Sequence, residues 1–532
     1  MRRWNGWGDD AHDYVLRANA RAMLLDRLGP GTPTRDATRE EALAQVPPSR
    51  LPAGAPFDTS AEARLMHARG ENYPDWIAKR FGRLGPFPEG VAFPENHAQV
   101  VEALNAARRI GAAVVPYAGG TSVAGHLNAT GRGTDQPVVS ISLEKMNQLR
   151  DLDETTWLAR FDAGTAGPQV EAQLKARGYV LGHFPQSWDY STVGGWVVTR
   201  SSGQQSLRYG RIEQMFNRGL LATPRGDWSV GGVPASAAGP DLREAVMGSE
   251  GRLGILTEAE VRVRPLPESE NFYAIFYPDW DNGFAAMRAL AQSGLPLSML
   301  RLSNAPETET HLTLAGEGAA LTWLKRYLGW SGAREGRVMM MMGVTGTRRE
   351  CAYALAGAKE VMAKHRATWI GTAIGNRWAQ NRFHGVYVRN TAWEAGYGID
   401  TVETSVNWPK VTPLMNAVEQ TARDAMKPFN ERVHAFTHLS HVYRQGCSVY
   451  SSFIFRTAPT PEENLARWKK LKAAVSEAIV AHGGTISHQH GVGVDHAPYL
   501  PAEKGEIGMN LIRSIARELD PDGLMNPGKL FA

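Results

Sequence analysis

Three clusters of glycine and hydroxyl residues restrict this chain more than any other feature of its sequence. "PYAGGTSVAG" occupies residues 116–125, "STVGGWVVTRSSG" residues 191–203 and "GSEGRLGILTEAEVRV" residues 248–263. In a Gly-Gly-Thr-Ser turn that follows a strand, consecutive backbone N–H groups form a concave nest for an anion, and the missing side chains let the ligand come close. The first cluster is neither G-x-G-x-x-G nor G-x-x-x-x-G-K-[ST], so it fits neither a Rossmann fingerprint nor a P-loop. One such turn can occur without any ligand. Three at these separations form a specific signal.

The stretches between the clusters alternate. In "FPENHAQVVEALNAARRIGAAVVPYAGG", Val100, Val101, Leu104 and Ala107 recur at helical spacing, and "AAVVPY" reads as a short buried strand. "PVVSISL" and "TWLARFDAG" read as further strands and "GPQVEAQLKARG" as a helix, which points to an α/β nucleotide-binding domain over residues 91–268. Residues 1–90, with "GPGTPT" and "PPSRLPAGAP", read as an irregular extension packed on the rest. Residues 269–505 alternate strands such as "VMMMMGVTG" with amphipathic helices such as "RRECAYALAGAKEVMAKH", as expected of a second α+β domain, and residues 506–532 supply a closing helix and tail.

A chain of 532 residues is longer than one hydrophobic core serves, in agreement with that division. The net charge of +4 is mild and its basic residues are scattered, which argues against a nucleic-acid partner. Cys351 and Cys447 form neither a disulfide framework nor a C-x-x-C pair. The N-terminal arginines precede no apolar run and no window approaches the length of a membrane span. Cytoplasmic residence is the expectation, with peripheral membrane contact left open.

On the strength of the three loops, the chain resembles the vanillyl-alcohol oxidase / p-cresol methylhydroxylase flavoprotein superfamily, whose members hold FAD in such loops. The resemblance implies an α+β fold: a two-part FAD-binding domain plus an α+β substrate or cap domain with an antiparallel sheet, the tail returning to the FAD domain. It implies that Pro116, Tyr117, Ala118, Gly119, Gly120, Thr121, Ser122 and Val123 contact the pyrophosphate, and that Ser191, Thr192, Gly194 and Gly195 lie along the ribityl and isoalloxazine part. Glu250, Gly251, Leu253, Gly254 and Ile255 would complete the pocket, flanked by Asp162 and Ser187. Members that attach FAD covalently often present a histidine in or beside the first loop. Here the nearest, His126, lies outside the turn, which implies non-covalent FAD.

"GHFPQSWDYSTVGGWVVTRSSG", "YGRIEQM", "VETSVNWPKV", "SHVYRQGCSVYSSFIF" and "GGTISHQHGVG" resemble, in order, blocks of the alkyldihydroxyacetonephosphate synthase branch. That branch implies a reaction of ether-lipid synthesis in which a long-chain alcohol replaces the acyl group of acyl-dihydroxyacetone phosphate through a flavin N5 adduct. Tyr450 matches the branch's acid/base tyrosine. His488 and His490 match two of a run of three histidines, with Gln489 in the middle place, and His488 serves equally well as a brace for the loop. Arg382 matches the arginine associated with substrate phosphate, and Arg389 follows seven residues later, on the same side if the segment is one helix. A salt-bridge role is the alternative for both.

In the D-lactate and D-2-hydroxyglutarate dehydrogenase branch, the corresponding loop reads Ser-Gly-Glu-His-Gly, and its Glu joins two histidines of an H-x-G-D-G-N-x-H segment around a divalent metal. This chain has Gln489 at that place, and "HAFTHLSH", with His434, His438 and His441, lacks the Gly-Asp-Gly-Asn. A neutral amide offers no anionic oxygen, so no metal is expected. FAD loops do not choose a substrate, and a dehydrogenase or oxidase of a 2-hydroxy acid or other alcohol remains the alternative activity. The expected partner is a small, lipid-like or phosphate-bearing molecule. A homodimer would fit the family, although no heptad marks an interface. The methionine run at residues 339–342 is apolar enough to line a tunnel for alkyl chains and equally suits a core strand.

Overall fold

The computed structural model describes residues 2–133, 135–316, 318–330 and 332–531. Strands β1 (Gly90–Ala92), β2 (Ala113–Tyr117) and β3 (Val138–Ser142) form a parallel sheet in the order β1-β3-β2. The helix His97–Arg109 crosses between the first two. Asn96 caps it by accepting from the Gln99 N–H at 3.0 Å, and Val100, Ala103, Leu104 and Ala107 form its buried face. The tail returns to this sheet, where Met525 bridges Val114 and the Asn526 N–H donates to the Val114 carbonyl at 2.8 Å.

Strands β4 (Leu149–Asp153), β5 (Leu158–Asp162), β6 (Tyr179–Val180), β7 (Phe216–Thr223), β8 (Gly226–Gly231), β9 (Ile255–Arg262) and β10 (Arg264–Pro265) follow. Five of them make an antiparallel sheet in the order β4-β5-β9-β7-β8, while β6 and β10 pair with each other. The helices Gly167–Lys175 and Val193–Thr199 bury Val170, Leu174, Val193 and Val197 in the core that these sheets share.

The third sheet is antiparallel throughout: β11 (Ser269–Tyr277), β12 (Met299–Ser303), β13 (Val338–Gly346), β14 (Thr368–Gly371), β15 (Tyr397–Asn407), β16 (His434–Val442) and β17 (Gly446–Arg456), in the order β14-β11-β13-β12-β16-β17-β15. The two faces of β13 are both covered. Met340 and Met342 pack into one core cluster, with Ala286, Leu290, Ala358 and Leu414, while Met339 and Met341 enter another with Leu312 and Leu328. Alternation along a strand sends successive side chains to opposite faces, so the methionine run packs as core on both sides of the sheet.

The N-terminal segment is tied into the rest of the molecule. The backbone of Trp7 exchanges hydrogen bonds with the Asn390 side chain at 3.1 and 3.0 Å, and the helix Ala18–Leu28 packs Leu24 and Leu28 with Tyr397 and Ile454. The segment holding Arg382 and Arg389 is broken into the helix Ala373–Asn381, the 3-10 turn His384–Tyr387 and the helix Val388–Glu394, so the single helical face expected of the two arginines does not form.

Because Met340 is fully buried at the centre of its sheet, Met340→Ala is expected to cost about 2–5 kcal/mol. The loss should appear as a lower urea midpoint of the flavin-loaded protein with its flavin spectrum unchanged.

Candidate active site

The first glycine loop leaves β2 at Tyr117. The backbone N–H groups of Gly119, Gly120, Thr121, Ser122 and Val123 have no hydrogen-bond partner among the described residues, and all five residues line one cavity. Five successive unpaired donors in a concave turn suit the oxygens of a pyrophosphate. Gly120 has φ 65°, a left-handed conformation that favours glycine.

The second cluster is the start of a helix, where a loop was expected. The Thr192 side chain caps Val193–Thr199, and a Cβ on Gly194 would lie 2.7 Å from that of Ala163, so the missing side chain permits the close packing of helix on strand. Ser187, Ser191, Thr192, Gly194, Gly195, Glu250, Gly251, Gly254 and Ile255 all line the same cavity, as do Pro116, Tyr117 and Ala118.

Asp162 and Leu253 stand away from it. The Asp162 carboxylate is engaged by Arg150 Nε at 2.7 Å and the Gln148 N–H at 3.1 Å, holding β5 against the preceding turn. Leu253 packs with Leu500, Leu530 and Phe531. Conversely, the cavity receives Trp7 from the N-terminal segment, and Arg2 donates to the Gly119 carbonyl. Nothing in "MRRWNGWGDD" marks these residues, because the contact spans more than a hundred positions.

Glu250 does more than line the wall. Its carboxylate accepts from the N–H groups of Val492 and Gly493, the latter at 2.8 Å, and lies 3.2 Å from His126 Nε2. His126 Nδ1 in turn sits 2.5 Å from Ser122 Oγ. The first loop, the third loop and the histidine loop are thereby joined through one buried carboxylate, on a residue whose φ of 54° is itself unusual for a side chain of this kind.

Strand register assembles the proton-handling groups. Tyr450 on β17 is directly opposite Glu403 on β15 and His438 on β16. Its ring stacks on His438 at 4.7 Å and meets His490 edge-on at 6.0 Å. His438 is fixed from behind by Glu307, 2.9 Å from its Nδ1, and Glu307 also binds Arg301. Burial pushes the Tyr450 phenol up to about 12, and burial lowers His490 below the ordinary imidazole value although Glu403 opposes the shift. At neutral pH the phenol therefore keeps its proton and the imidazole is neutral, with one ring nitrogen open to accept. Both residues line the cavity.

His488 lies behind the cavity wall. Its Nε2 is 2.8 Å from Arg211 Nη1 and 2.7 Å from the Tyr443 hydroxyl, and its Nδ1 is 3.1 Å from Glu403 Oε1. An arginine only donates, so Nε2 is the acceptor and Nδ1 carries the proton. This bears on the metal question. Glu403, His441 and His488 present ligand atoms within 4.8 Å of one another, a grouping that could hold an ion. With Nε2 taken up by Arg211, the proton of neutral His488 lies on Nδ1, the ring atom 3.1 Å from the Glu403 carboxylate. His434, by contrast, binds Arg27 and Thr310 in a separate place.

Gln489 finds its reason here as well. Its Oε1 accepts from the Ser202 N–H at 3.2 Å and its Nε2 donates to Glu403. A glutamate at this position would set a second carboxylate against the first. Burial alone would raise Glu403, but His488, His441 and His490 around it outweigh that and hold it well below the usual carboxylate range, so it is ionised.

The two arginines separate. Arg389 lines the cavity, with its guanidinium 4.3 Å over the Trp76 ring and Nη1 donating to the Glu71 carbonyl at 3.0 Å. Arg382 sits among Phe184, Phe272 and Phe383 at 4.7, 5.6 and 4.9 Å and does not reach the cavity.

Comparison with known proteins places this geometry in a class. Residues 88–232 match the FAD binding domain family and residues 266–530 the family of FAD linked oxidases, C-terminal domain. The fold is that of p-cresol methylhydroxylase, whose solved structure aligns with a TM-score of 0.67 at 14% identity over 94% of this chain and 98% of that one. The protein is an FAD-dependent flavoprotein of this type. More narrowly, it is 30% identical to the alkyldihydroxyacetonephosphate synthase of Trypanosoma brucei brucei over 99% of this chain and 92% of that protein's length. A solved alkyldihydroxyacetonephosphate synthase superposes with a TM-score of 0.82 at 24% identity, over 99% of this chain and 98% of the other. The chain belongs to the alkyldihydroxyacetonephosphate synthase family.

Removing the Glu250 carboxylate leaves two backbone donors without their acceptor, at about 1–3 kcal/mol each where they are buried. Glu250→Ala is expected to purify with less bound flavin and a lower melting temperature, read from flavin absorbance per protein and from thermal unfolding.

Proposed function

We propose that this chain is an FAD-dependent alkyldihydroxyacetonephosphate synthase, exchanging the acyl group of acyl-dihydroxyacetone phosphate for a long-chain alcohol. The observation that carries the reading is the pairing, on one cavity wall, of a protonated Tyr450 with a neutral His490, in a chain of this family. FAD, when bound in the three loops, supplies an electrophilic nitrogen for the substrate carbon. His490 accepts the proton from C1 of the substrate, and Tyr450 donates a hydrogen bond to the departing carboxylate. Arg389, whose charge faces the same space, is the better placed of the two arginines to bind the phosphate. FAD is held without a covalent bond, in keeping with His126 being engaged by Ser122 and Glu250.

No helix among the described residues is long and apolar enough to cross a membrane. The helix Ala319–Trp330 nevertheless exposes Trp323 by 60%, Tyr327 by 48% and Trp330 by 78%, at the i, i+4, i+7 spacing of one face, next to Lys325 and Arg326. Aromatic rings on one helical face, with the Arg326 guanidinium over the Trp323 ring, suit the headgroup layer of an anionic bilayer. We assign this helix as the face that meets the membrane carrying the alkyl substrates, on a cytoplasmic protein whose two cysteines are unpaired.

Flavin-loaded protein given palmitoyl-dihydroxyacetone phosphate and a long-chain alcohol is expected to release palmitate and form the alkyl ether, followed by mass spectrometry. Tyr450→Phe should lower kcat by roughly a hundredfold, and Arg389→Ala should act mainly on KM. Flavin bleaching by a 2-hydroxy acid, with no ether product, would overturn the reading.

Trp323→Ser combined with Trp330→Ser should weaken flotation with phosphatidylserine-containing vesicles while leaving turnover of detergent-dispersed substrate unchanged. Equal flotation of variant and parent would remove the helix from the membrane contact.

A further inference from the structure

Glu403 belongs to none of the glycine loops and matches no acid/base residue of the resemblance, yet it is fully buried at the point where four side chains converge. His488 Nδ1 lies 3.1 Å, His441 Nε2 3.7 Å and His490 Nε2 3.8 Å from its carboxylate, and Gln489 Nε2 donates to it. His488 is itself oriented by Arg211 and Tyr443, which line a second cavity of about 870 Å³ on the far side of the histidine loop. Arg211 and Tyr443 hold His488 Nε2 as the acceptor, which leaves the proton on Nδ1, the ring atom that lies 3.1 Å from Glu403 Oε1. This series of contacts ends on an anion whose second oxygen is turned toward His490.

We propose that Glu403 is the positioning residue that holds His490 as the proton acceptor of the reaction, by fixing His488 as its Nδ1–H tautomer and pinning Gln489 in the loop between them. The geometry follows the logic by which a buried carboxylate orients a neighbouring imidazole and stabilises its protonated form. Glu403 makes no contact with the substrate and passes on no proton. It sets the basicity and direction of the group that does. The other groups that face His490 are Asp400 on the same strand, Tyr450 on β17, Lys472 on the helix Pro461–Ala481, and His488 and His496 on its own segment. Among them Glu403 is the anion that contributes most to its proton affinity.

The assignment rests on the proposed synthase reading for its meaning, and its test has a readout independent of turnover. Histidine-labelled, FAD-bound protein should show His488 as the Nδ1–H tautomer by NMR, with the resonances identified by loss in His488→Gln and His490→Gln. In Glu403→Gln the titration midpoint of His490 should move to lower pH, because an anion that favoured its protonated form is gone. Glu403→Asp, which keeps the charge, should restore part of that shift and remains available if the glutamine variant does not fold. In turnover, the wild-type kcat falls as pH drops through the His490 midpoint. The Glu403→Gln limb should move to lower pH with a plateau reduced by roughly a hundredfold, and the losses from Glu403→Gln and His490→Gln should not multiply when combined.

A His488 found as the Nε2–H tautomer, or an unmoved His490 midpoint in Glu403→Gln, would overturn the proposal. A shifted midpoint in a protein that makes no ether product would instead leave Glu403 in its role and remove the synthase reading.

Discussion

A carboxylate taken out of water must be surrounded by donors or lose its charge, and this site is organised around three that are so surrounded. Glu250 gathers the backbone of Val492 and Gly493 and the ring of His126, Glu307 gathers Arg301 and His438, and Glu403 gathers His488, Gln489 and the edge of His490. Each needs partners from distant parts of the chain. The loops that approach the flavin and the strands that carry the proton groups are therefore held in mutual register by charge, and removing any one anion would loosen groups that it does not adjoin in sequence.

The same burial separates acid from base. In water a tyrosine and a histidine differ by only a few units in proton affinity, and either could serve as acceptor in an alkaline medium. Beneath this cavity wall the shifts diverge: loss of solvent raises the phenol and lowers the imidazole, because in each case it disfavours the charged form. Two groups on one cavity wall thus reach opposite ends of the proton-affinity scale from a single physical cause. Glu403 limits how far the imidazole falls. Without a nearby anion, a buried histidine would be neutral but too weak a base to take a proton from carbon.

What was legible in the sequence follows from how local the constraint is. The glycine turns could be read because a left-handed residue or a close backbone approach demands glycine at that position, and Gly120, Gly194, Gly251 and Gly254 stand on the cavity wall. Tyr450 and His490 could be placed because the resemblance covers their own segments. Asp162 sits in a comparable motif, but its carboxylate is taken up by Arg150, a pairing that the "DAG" tripeptide does not encode. The arginines part for a similar reason: a seven-residue spacing defines one face only on an unbroken helix, and beyond the turn His384–Tyr387 Arg389 lines the cavity while Arg382 stays among phenylalanines. Glu403 was hidden in a recognised block, since a glutamate on a strand between Val402 and Thr404 gives no sign that its partners lie some eighty residues later.

Gln489 shows how a neutral side chain serves a site that already holds a buried anion. In this protein the anion comes from β15 and the loop contributes the imidazoles and an amide. With Glu403 in place, a second carboxylate at position 489 would face the first across a hydrogen-bond distance in a medium of low dielectric, where like charges repel strongly. The amide keeps the same length, donates to the anion, and accepts from Ser202 at its other end. The amide and the buried glutamate therefore suit each other: position 489 adds a donor to the anion rather than a second negative charge.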